Sequence, residues 1–186
     1  MSNNPILHAT IKGEGFPLLI LHGYFGMSDN WKTLGNKFSE DYQVHLIDQR
    51  NHGRSFHADA FNYDLMVEDL HNYIQHHNLQ KVHVLGHSMG GKTAIEMAAI
   101  AQERIDQLVI VDIAPVQYSL SAHSDVLAAL NAVEPATLND RQDADATIAR
   151  WIDDPNLRQF LMTNLQRSGG QFSWRINRGT TRCAHY

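Results

Sequence analysis

Residues 81–91 read Lys-Val-His-Val-Leu-Gly-His-Ser-Met-Gly-Gly and lead into an Ala-rich stretch that extends to about Glu103. The β-branched run before Gly86 predicts a buried strand, and the Ala-rich run predicts a helix. Ser88 has a glycine two positions away on either side, a pattern typical of a sharp turn that exposes its central side chain above a sheet. The stretch therefore predicts an α/β fold with Ser88 as a candidate nucleophile.

The rest of the first 115 residues repeats the same alternation of short apolar runs and longer amphipathic stretches. This alternation indicates a mainly parallel sheet covered by helices on both faces. Asp29 is positioned to cap the first helix. Strands are expected at residues 6–11, 17–21, 42–47, 81–85 and 107–111, and helices near 29–38, 66–79 and 92–103.

The pattern changes after Pro115, where strand-like runs cease. Helices are expected near residues 124–133, 140–152 and 154–166, the last beginning at Asp154 with Pro155 in its first turn. We therefore expect an α/β core over residues 1–115, a helical cap over 116–173 and a tail over 174–186.

Composition excludes several classes of protein. With 186 residues, 43% hydrophobic and 19% charged, the chain has the composition of one globular domain. The net charge of −5 argues against nucleic-acid binding, whereas protonation of all 12 histidines would bring it to +7. The single cysteine, Cys183, excludes an internal disulfide, and because the first residues lack a basic segment and a long apolar run, we expect no signal sequence or membrane span there. We expect a cytoplasmic protein.

Four predicted strands end in residues suited to chemistry, namely 22–24, 48–55, 86–91 and Asp112. In open α/β sheets, ligands bind beyond the carboxyl ends of the strands, so these segments should converge on one edge. The N–H of Met89 would point toward an oxyanion formed beside Ser88. A second N–H, that of Tyr24, is expected from the Gly-rich turn after Leu21.

Four motifs, HGYFG (22–26), DQRNHGRS (48–55), GHSMGGK (86–92) and VDIAP (111–115), resemble those of the α/β-hydrolase serine esterases of the YbfF type, which are related to the mitochondrial abhydrolase-domain-11 proteins. The resemblance runs from about Pro17 to Asn177. It implies Ser88 as nucleophile, Tyr24 and Met89 as oxyanion donors and Asp112 as triad acid. It also implies a small acyl ester or thioester substrate and no cofactor, and it gives Asp48 and His52 a structural role.

The triad base is the main gap in this interpretation. The order in this fold is Ser, then Asp, then His, and only His123 and His185 follow Asp112. The resemblance ends at about residue 178, before the family's last two strand-helix units. We therefore expect a truncated or frame-shifted esterase of low activity. The strand that ends at Asp112 would then be an exposed apolar edge through which chains could self-associate.

Two other functions remain open. Residues 86–93 also satisfy the P-loop pattern, with Asp112 as a possible Mg²⁺ ligand, which would make the chain a nucleotide-binding protein. Alternatively, the chain is a ligand-binding module that lacks catalysis. His71, His76 and His77 lie on one predicted helix, but their spacing favours solvated side chains over a metal site. Substrate-binding residues cannot be named from sequence.

Overall fold

A five-stranded sheet forms the core of the computed structural model, which describes residues 5–116 and 124–179. The strand order is β1-β3-β2-β4-β5, with β1 antiparallel to β3 and the other pairs parallel. This confirms the expected mainly parallel sheet. The strands are β1 (Ala9–Lys12), β2 (Phe16–Leu21), β3 (Tyr42–Ile47), β4 (Val82–His87) and β5 (Ile105–Val111).

Helices cover both faces of this sheet because the apolar side chains of the inner strands alternate between the faces. In β2, Leu19 and Leu21 pack with the buried faces of α2 and α3, whereas Leu18 and Ile20 face Trp31 and the helix α1. These helices are α1 (Lys32–Phe38), α2 (Tyr63–His76) and α3 (Met89–Ile100). No helix in the described part of the chain is long and apolar enough to cross a membrane.

The start of α1 differs from the prediction that Asp29 caps it. A 3₁₀ turn over Ser28–Trp31 precedes α1, and the side chain of Asn30 accepts the hydrogen bond from Met27 N–H at 2.7 Å. Asp29 instead forms an ion pair with Arg175. The expected cap at Asp154 is confirmed, since its side chain accepts from Asn156 N–H at 2.9 Å.

Within residues 5–116 and 124–179, β5 lies at an edge of the sheet and pairs only with β4. Its side chains Leu108 and Val109 are 38% and 48% exposed. The expected apolar edge is therefore present in the structure, while self-association through it stays a prediction.

Residues 124–176, called here the cap region, contain three helices and a hairpin. The helices are α4 (Ser124–Ala132), α5 (Arg141–Ile148) and α6 (Pro155–Met162), and the strands are β6 (Leu165–Ser168) and β7 (Gln171–Trp174). The expectation of helix to residue 166 and of no strand after Pro115 is thus wrong. Gly169 and Gly170 have φ of 58° and 85°, the backbone that a two-residue hairpin turn requires.

The cap region has its own hydrophobic cluster, which includes Leu130, Ile148, Leu161 and Phe172. Among the fully buried members of this cluster, Phe25 alone comes from outside the cap region. The cap is therefore joined to the core at the loop that follows β2.

Candidate active site

Ser88 occupies a strained turn between β4 and α3. Its φ and ψ are 51° and −116°, a conformation that non-glycine residues rarely adopt and that is found preferentially at functional sites. A Cβ on Gly86 would lie 2.4 Å from Gly90 O, and one on Gly90 would lie 2.5 Å from Leu21 O. Both glycines are required because strand, turn and helix approach too closely for a side chain.

The Gly-rich turn after β2 lies against Ser88. This 23–26 turn is closed by a hydrogen bond from Gly26 N–H to Gly23 O at 3.0 Å. A Cβ on Gly23 would lie only 3.2 Å from Ser88 Cβ. Tyr24 packs against the cluster that contains buried Met89. The structure thus places the 23–26 turn beside Ser88 and Tyr24 beside the cluster of Met89, while the roles of Tyr24 and Met89 as oxyanion donors stay a prediction.

Asp112 follows β5 directly and has a φ of 55°. Its side chain is 85% exposed, and its Oδ2 lies 3.8 Å from His87 Nε2. The N–H of Ser88 donates to Val111 O at 3.0 Å, so the turn and the end of β5 are directly connected. Among the described residues, no imidazole forms a hydrogen bond with Ser88 Oγ, and His123 and His185 lie outside the described residues.

The sequence of the chain is similar to sequences of a known protein family. The sequence matches the family model of the alpha/beta hydrolase fold over residues 17–178. The chain belongs to this family. Its relatives include a putative esterase/lipase of Haemophilus influenzae, 42% identical over 78% of this chain and 50% of the relative. Esterase YbfF of Escherichia coli is 36% identical over 87% of this chain and 62% of the relative.

The structural comparison agrees with this assignment of fold. A solved structure described as a marine microorganism esterase superposes with a TM-score of 0.92 at 41% identity, covering 95% of this chain and 70% of that one. Another relative, the sn-1-specific diacylglycerol lipase ABHD11 of Danio rerio, is 35% identical over 89% of this chain and 55% of the relative. The resemblance inferred from the motifs is thus confirmed. The chain spans between half and 62% of the length of these curated relatives.

In this α/β-hydrolase, buried histidines support the 23–26 turn. Gln49 N–H donates to His22 Nε2 at 3.0 Å, which leaves Nδ1 to donate to Gly23 O at 2.8 Å. Burial lowers the pKa of His22, so its ring is neutral. His52 is also buried, and its pKa is lowered to about 3. Burial is the main cause, and the nearby ring of His22 is the second. Since both nitrogens of His22 are engaged, its role is structural.

The loop after β3 is fixed by a buried carboxylate and a buried ion pair. Asp48 accepts hydrogen bonds from Ser28 N–H at 2.6 Å and Arg54 N–H at 3.0 Å. Arg50 binds Asp69 of α2 through two bonds, from Nε at 2.5 Å and from Nη2 at 2.8 Å. These contacts support the structural role expected for residues 48–55.

An apolar cavity of about 310 Å³ opens beside the nucleophile turn. Trp31 and Leu34 line it from the core, and Phe160 lines it from α6. Gly23, Tyr24 and His87, which border Ser88, also contribute to its wall. A larger cavity of about 600 Å³ at the hairpin, near Trp174 and Arg178, shares no lining residue with it.

The side chains that a P-loop would present to nucleotide are used inside the fold. Lys92 is 5% exposed, and its Nζ donates to Val116 O at 3.1 Å. Thr93 is 1% exposed, and its Oγ1 lies 3.2 Å from both Gln49 Oε1 and Met89 O. Neither side chain is available to a phosphate or Mg²⁺, so the P-loop alternative has no support here.

Sequence reasoning missed two residues that border the site, Phe25 and Asn164. Asn164 Nδ2 donates to Phe25 O at 2.7 Å across 139 positions of the chain. The bulky Phe25 in the HGYFG motif, at a point where the turn requires a positive φ, was the available signal. Within the described residues, no group of three potential ligands forms a metal site.

Proposed function

We propose that the chain is a serine hydrolase of the carboxylesterase or acyl-thioesterase type that acts through an acyl-Ser88 intermediate. The observation that carries this proposal is the strained conformation of Ser88, held by glycine contacts and facing the 23–26 turn. Strained residues are found preferentially at functional sites, and the neighbours of Ser88, Gly23 and His87, line an apolar cavity, which together support attack by this serine on a bound substrate.

In the proposed reaction, Ser88 Oγ attacks the carbonyl carbon of the ester while an imidazole base removes the hydroxyl proton. The carbonyl oxygen becomes an oxyanion that accepts hydrogen bonds from the N–H groups of Met89 and Tyr24. The bond to the leaving alcohol or thiol then breaks, and the base returns the proton to it. A water molecule, deprotonated by the same base, finally releases the acid and regenerates Ser88.

Asp112 is proposed to orient and stabilise the imidazole base. Its exposed carboxylate near His87 leaves room for a side chain to approach from above the sheet edge. Because no imidazole within the described residues bonds to Ser88, we propose that turnover by this chain is low. Loss of a triad member in serine proteases lowers the rate by about 10⁴-fold or more.

The substrate class follows from the cavity. Its walls of Trp31, Leu34 and Phe160 suit a hydrocarbon chain rather than a charged group. Since one water molecule occupies about 30 Å³ and a methylene group has similar size, 310 Å³ accommodates a short or medium acyl chain. We propose an ester or thioester of such an acid as substrate.

Labelling by a fluorophosphonate tests the nucleophile. We expect the probe to modify the wild-type chain at Ser88, as identified by peptide mapping, at the slow rate of a serine without an imidazole partner among the described residues, and to leave Ser88→Ala unmodified. Ser173→Ala, which removes a half-buried serine of the cap region, is the matched control and should label normally. Absence of labelling, or labelling at another serine, would overturn the proposal. Ester binding by an unlabelled chain that persists in Ser88→Ala would indicate a binding module instead.

Hydrolysis of p-nitrophenyl esters tests the proposed low turnover. We expect a rate that is far below that of a complete triad yet above the uncatalysed background, and a further fall in Ser88→Ala. Robust turnover that His185→Ala abolishes would instead show that the tail supplies the base.

A further inference from the structure

We propose that Asn164, in the cap region, is a positioning residue for the oxyanion donor at Tyr24. Asn164 lies between α6 and β6 and is fully buried. Its Nδ2 donates to Phe25 O at 2.7 Å and to Leu161 O at 3.3 Å. The bond to Phe25 O links the cap region to the turn that faces Ser88. The role in catalysis that we infer for Asn164 rests on the proposed function.

The 23–26 turn needs such support because Phe25 is strained. Phe25 occupies the third position of the turn with a φ of 60°, a conformation that favours glycine. An aromatic residue remains there only if its surroundings hold it. The strain therefore requires contacts outside the turn.

The cap region contacts both the ring and the carbonyl group of Phe25. Its ring is 4% exposed and lies in the hydrophobic cluster of the cap. Its carbonyl accepts the hydrogen bond from Asn164. The peptide unit between Phe25 and Gly26 is therefore held from two sides, since Gly26 N–H donates to Gly23 O within the turn and Phe25 O accepts from Asn164 of the cap region. Asn164 thus helps to fix the peptide that follows Phe25, two peptide units after the one that carries the Tyr24 N–H.

Asn164 is itself fixed to the core. Arg175 N–H donates to Asn164 O at 2.8 Å, and Arg175 Nη1 donates to Asp29 Oδ2 at 3.2 Å. Asp29 lies in the 3₁₀ turn that follows Met27, next to the 23–26 turn. The segment around Asn164 in the cap region and the 23–31 segment of the core therefore hold each other in place. A backbone N–H that stabilises an oxyanion must be fixed in this way.

The test compares Asn164→Leu with Arg141→Leu. Leucine has as many side-chain heavy atoms as asparagine but donates no hydrogen bond, and Asn164 Oδ1 has no hydrogen-bond partner in the described structure, so the hydrogen bonds that the first variant removes are those from Nδ2. Arg141 is the matched control because its guanidinium donates to Leu165 O at 2.7 Å and to Met162 O, on either side of Asn164. It supports the same loop and makes no bond to Phe25.

The first readout is the rate of Ser88 labelling by a fluorophosphonate, whose P=O oxygen uses the same donors as an oxyanion. We expect Asn164→Leu to slow labelling by about 10- to 100-fold, the range for a displaced rather than a deleted donor. Arg141→Leu should retain nearly the wild-type rate. Equal rates for Asn164→Leu and Arg141→Leu would overturn the proposal.

The second readout is the backbone ¹H–¹⁵N NMR spectrum, which needs no reaction at Ser88. Asn164→Leu should shift the amide resonances of Tyr24 and Phe25 and speed their hydrogen exchange, while Arg141→Leu should leave them unchanged. Unchanged Tyr24 and Phe25 resonances in Asn164→Leu would refute the positioning role. If the wild-type chain is not labelled at all, the proposed function fails, and the spectra still decide the role of Asn164. Should Asn164→Leu not fold, Asn164→Ala removes the same donor without adding volume at this buried position.

Discussion

Substitution of Gly90 by alanine tests whether close backbone contact sets the geometry of the nucleophile turn. A Cβ at Gly90 would lie 2.5 Å from Leu21 O and 2.7 Å from His22 O. These distances are well below the shortest comfortable C···O contacts, about 3.3 Å. Both oxygens belong to backbone at the end of β2, so no side-chain rotation relieves the contact and α3 must move away from the sheet.

The expected loss of stability is the balance of two effects. Overpacking costs about 1–3 kcal/mol, and a clash with two backbone oxygens belongs at the upper end. Alanine within a helix is more favourable than glycine by about 1 kcal/mol, which offsets part of the clash because Gly90 lies in α3. We expect the free energy of unfolding to fall by about 2 kcal/mol, with Tm lower by about 4–8 °C.

Gly91→Ala is the matched control in the same helix. Its Cβ would meet Ile113 Cγ2 at 2.6 Å and Gly86 O at 3.0 Å, so the closest contact is with a methyl group of a side chain in the loop after β5. This contact should cost less than the clash of Gly90→Ala with two backbone oxygens, and the helix preference of alanine offsets part of it, so we expect a smaller loss of stability than for Gly90→Ala. The comparison thus separates backbone contact from the general effect of adding a methyl group to α3.

Urea denaturation followed by far-UV circular dichroism measures both free energies of unfolding. Fluorophosphonate labelling then reports whether Ser88 remains in place, and Gly90→Ala should label more slowly than Gly91→Ala. If Gly90→Ala is as stable as Gly91→Ala and labels at the same rate, the close contact between α3 and β2 does not hold the turn.

Three further predictions concern pH, a buried ion pair and the sheet edge. Burial lowers the pKa of His45 to about 4 and that of His52 to about 3, so the folded chain takes up protons later than the unfolded chain as the pH falls. The free energy of unfolding should therefore decrease from about pH 6.5 to pH 4, by up to about 1.4 kcal/mol per pH unit for each histidine. In urea titrations His45→Gln should show a shallower decrease, and an unchanged slope would contradict this cause. Arg50→Met should lower the free energy of unfolding by about 3–5 kcal/mol because it leaves a buried carboxylate unpaired, and adding Asp69→Asn should recover part of that loss in the same titration. Val109→Lys should reduce self-association in sedimentation velocity experiments at increasing concentration, whereas an unchanged sedimentation profile would show that the edge of β5 is not used.

The sequence predicted the sheet and the nucleophile turn because both depend on local signals. The glycines around Ser88 and the β-branched run before Gly86 act within a few residues of each other. The helix boundaries were less well predicted, and the helix expected to end at Gln166 ends at Met162. Helix ends depend on which side chain reaches a free N–H or C=O group, which periodicity does not reveal.

The hairpin β6–β7 was missed although its turn signal was present. Gly169 and Gly170 favour a two-residue turn, but the flanking segments are too polar to show alternation clearly. The contact between Asn164 and Phe25 could not be predicted, since it joins residues 139 positions apart and exists only once the cap region packs on the core. The base of the proposed triad is a similar case, because its position depends on tertiary structure rather than on local pattern.

The cap region has a hydrophobic cluster of its own, and this separation gives a route by which related chains could acquire different substrate specificities. Because its buried side chains, apart from Phe25, come from residues 124–176, their volumes can change without leaving voids among the side chains that line the sheet. Mutational drift there could alter the wall that Phe160 presents to the cavity while the nucleophile turn stays intact. The region is thus suited to exchange as a cassette between related chains, provided that each cassette retains a donor for the carbonyl of Phe25.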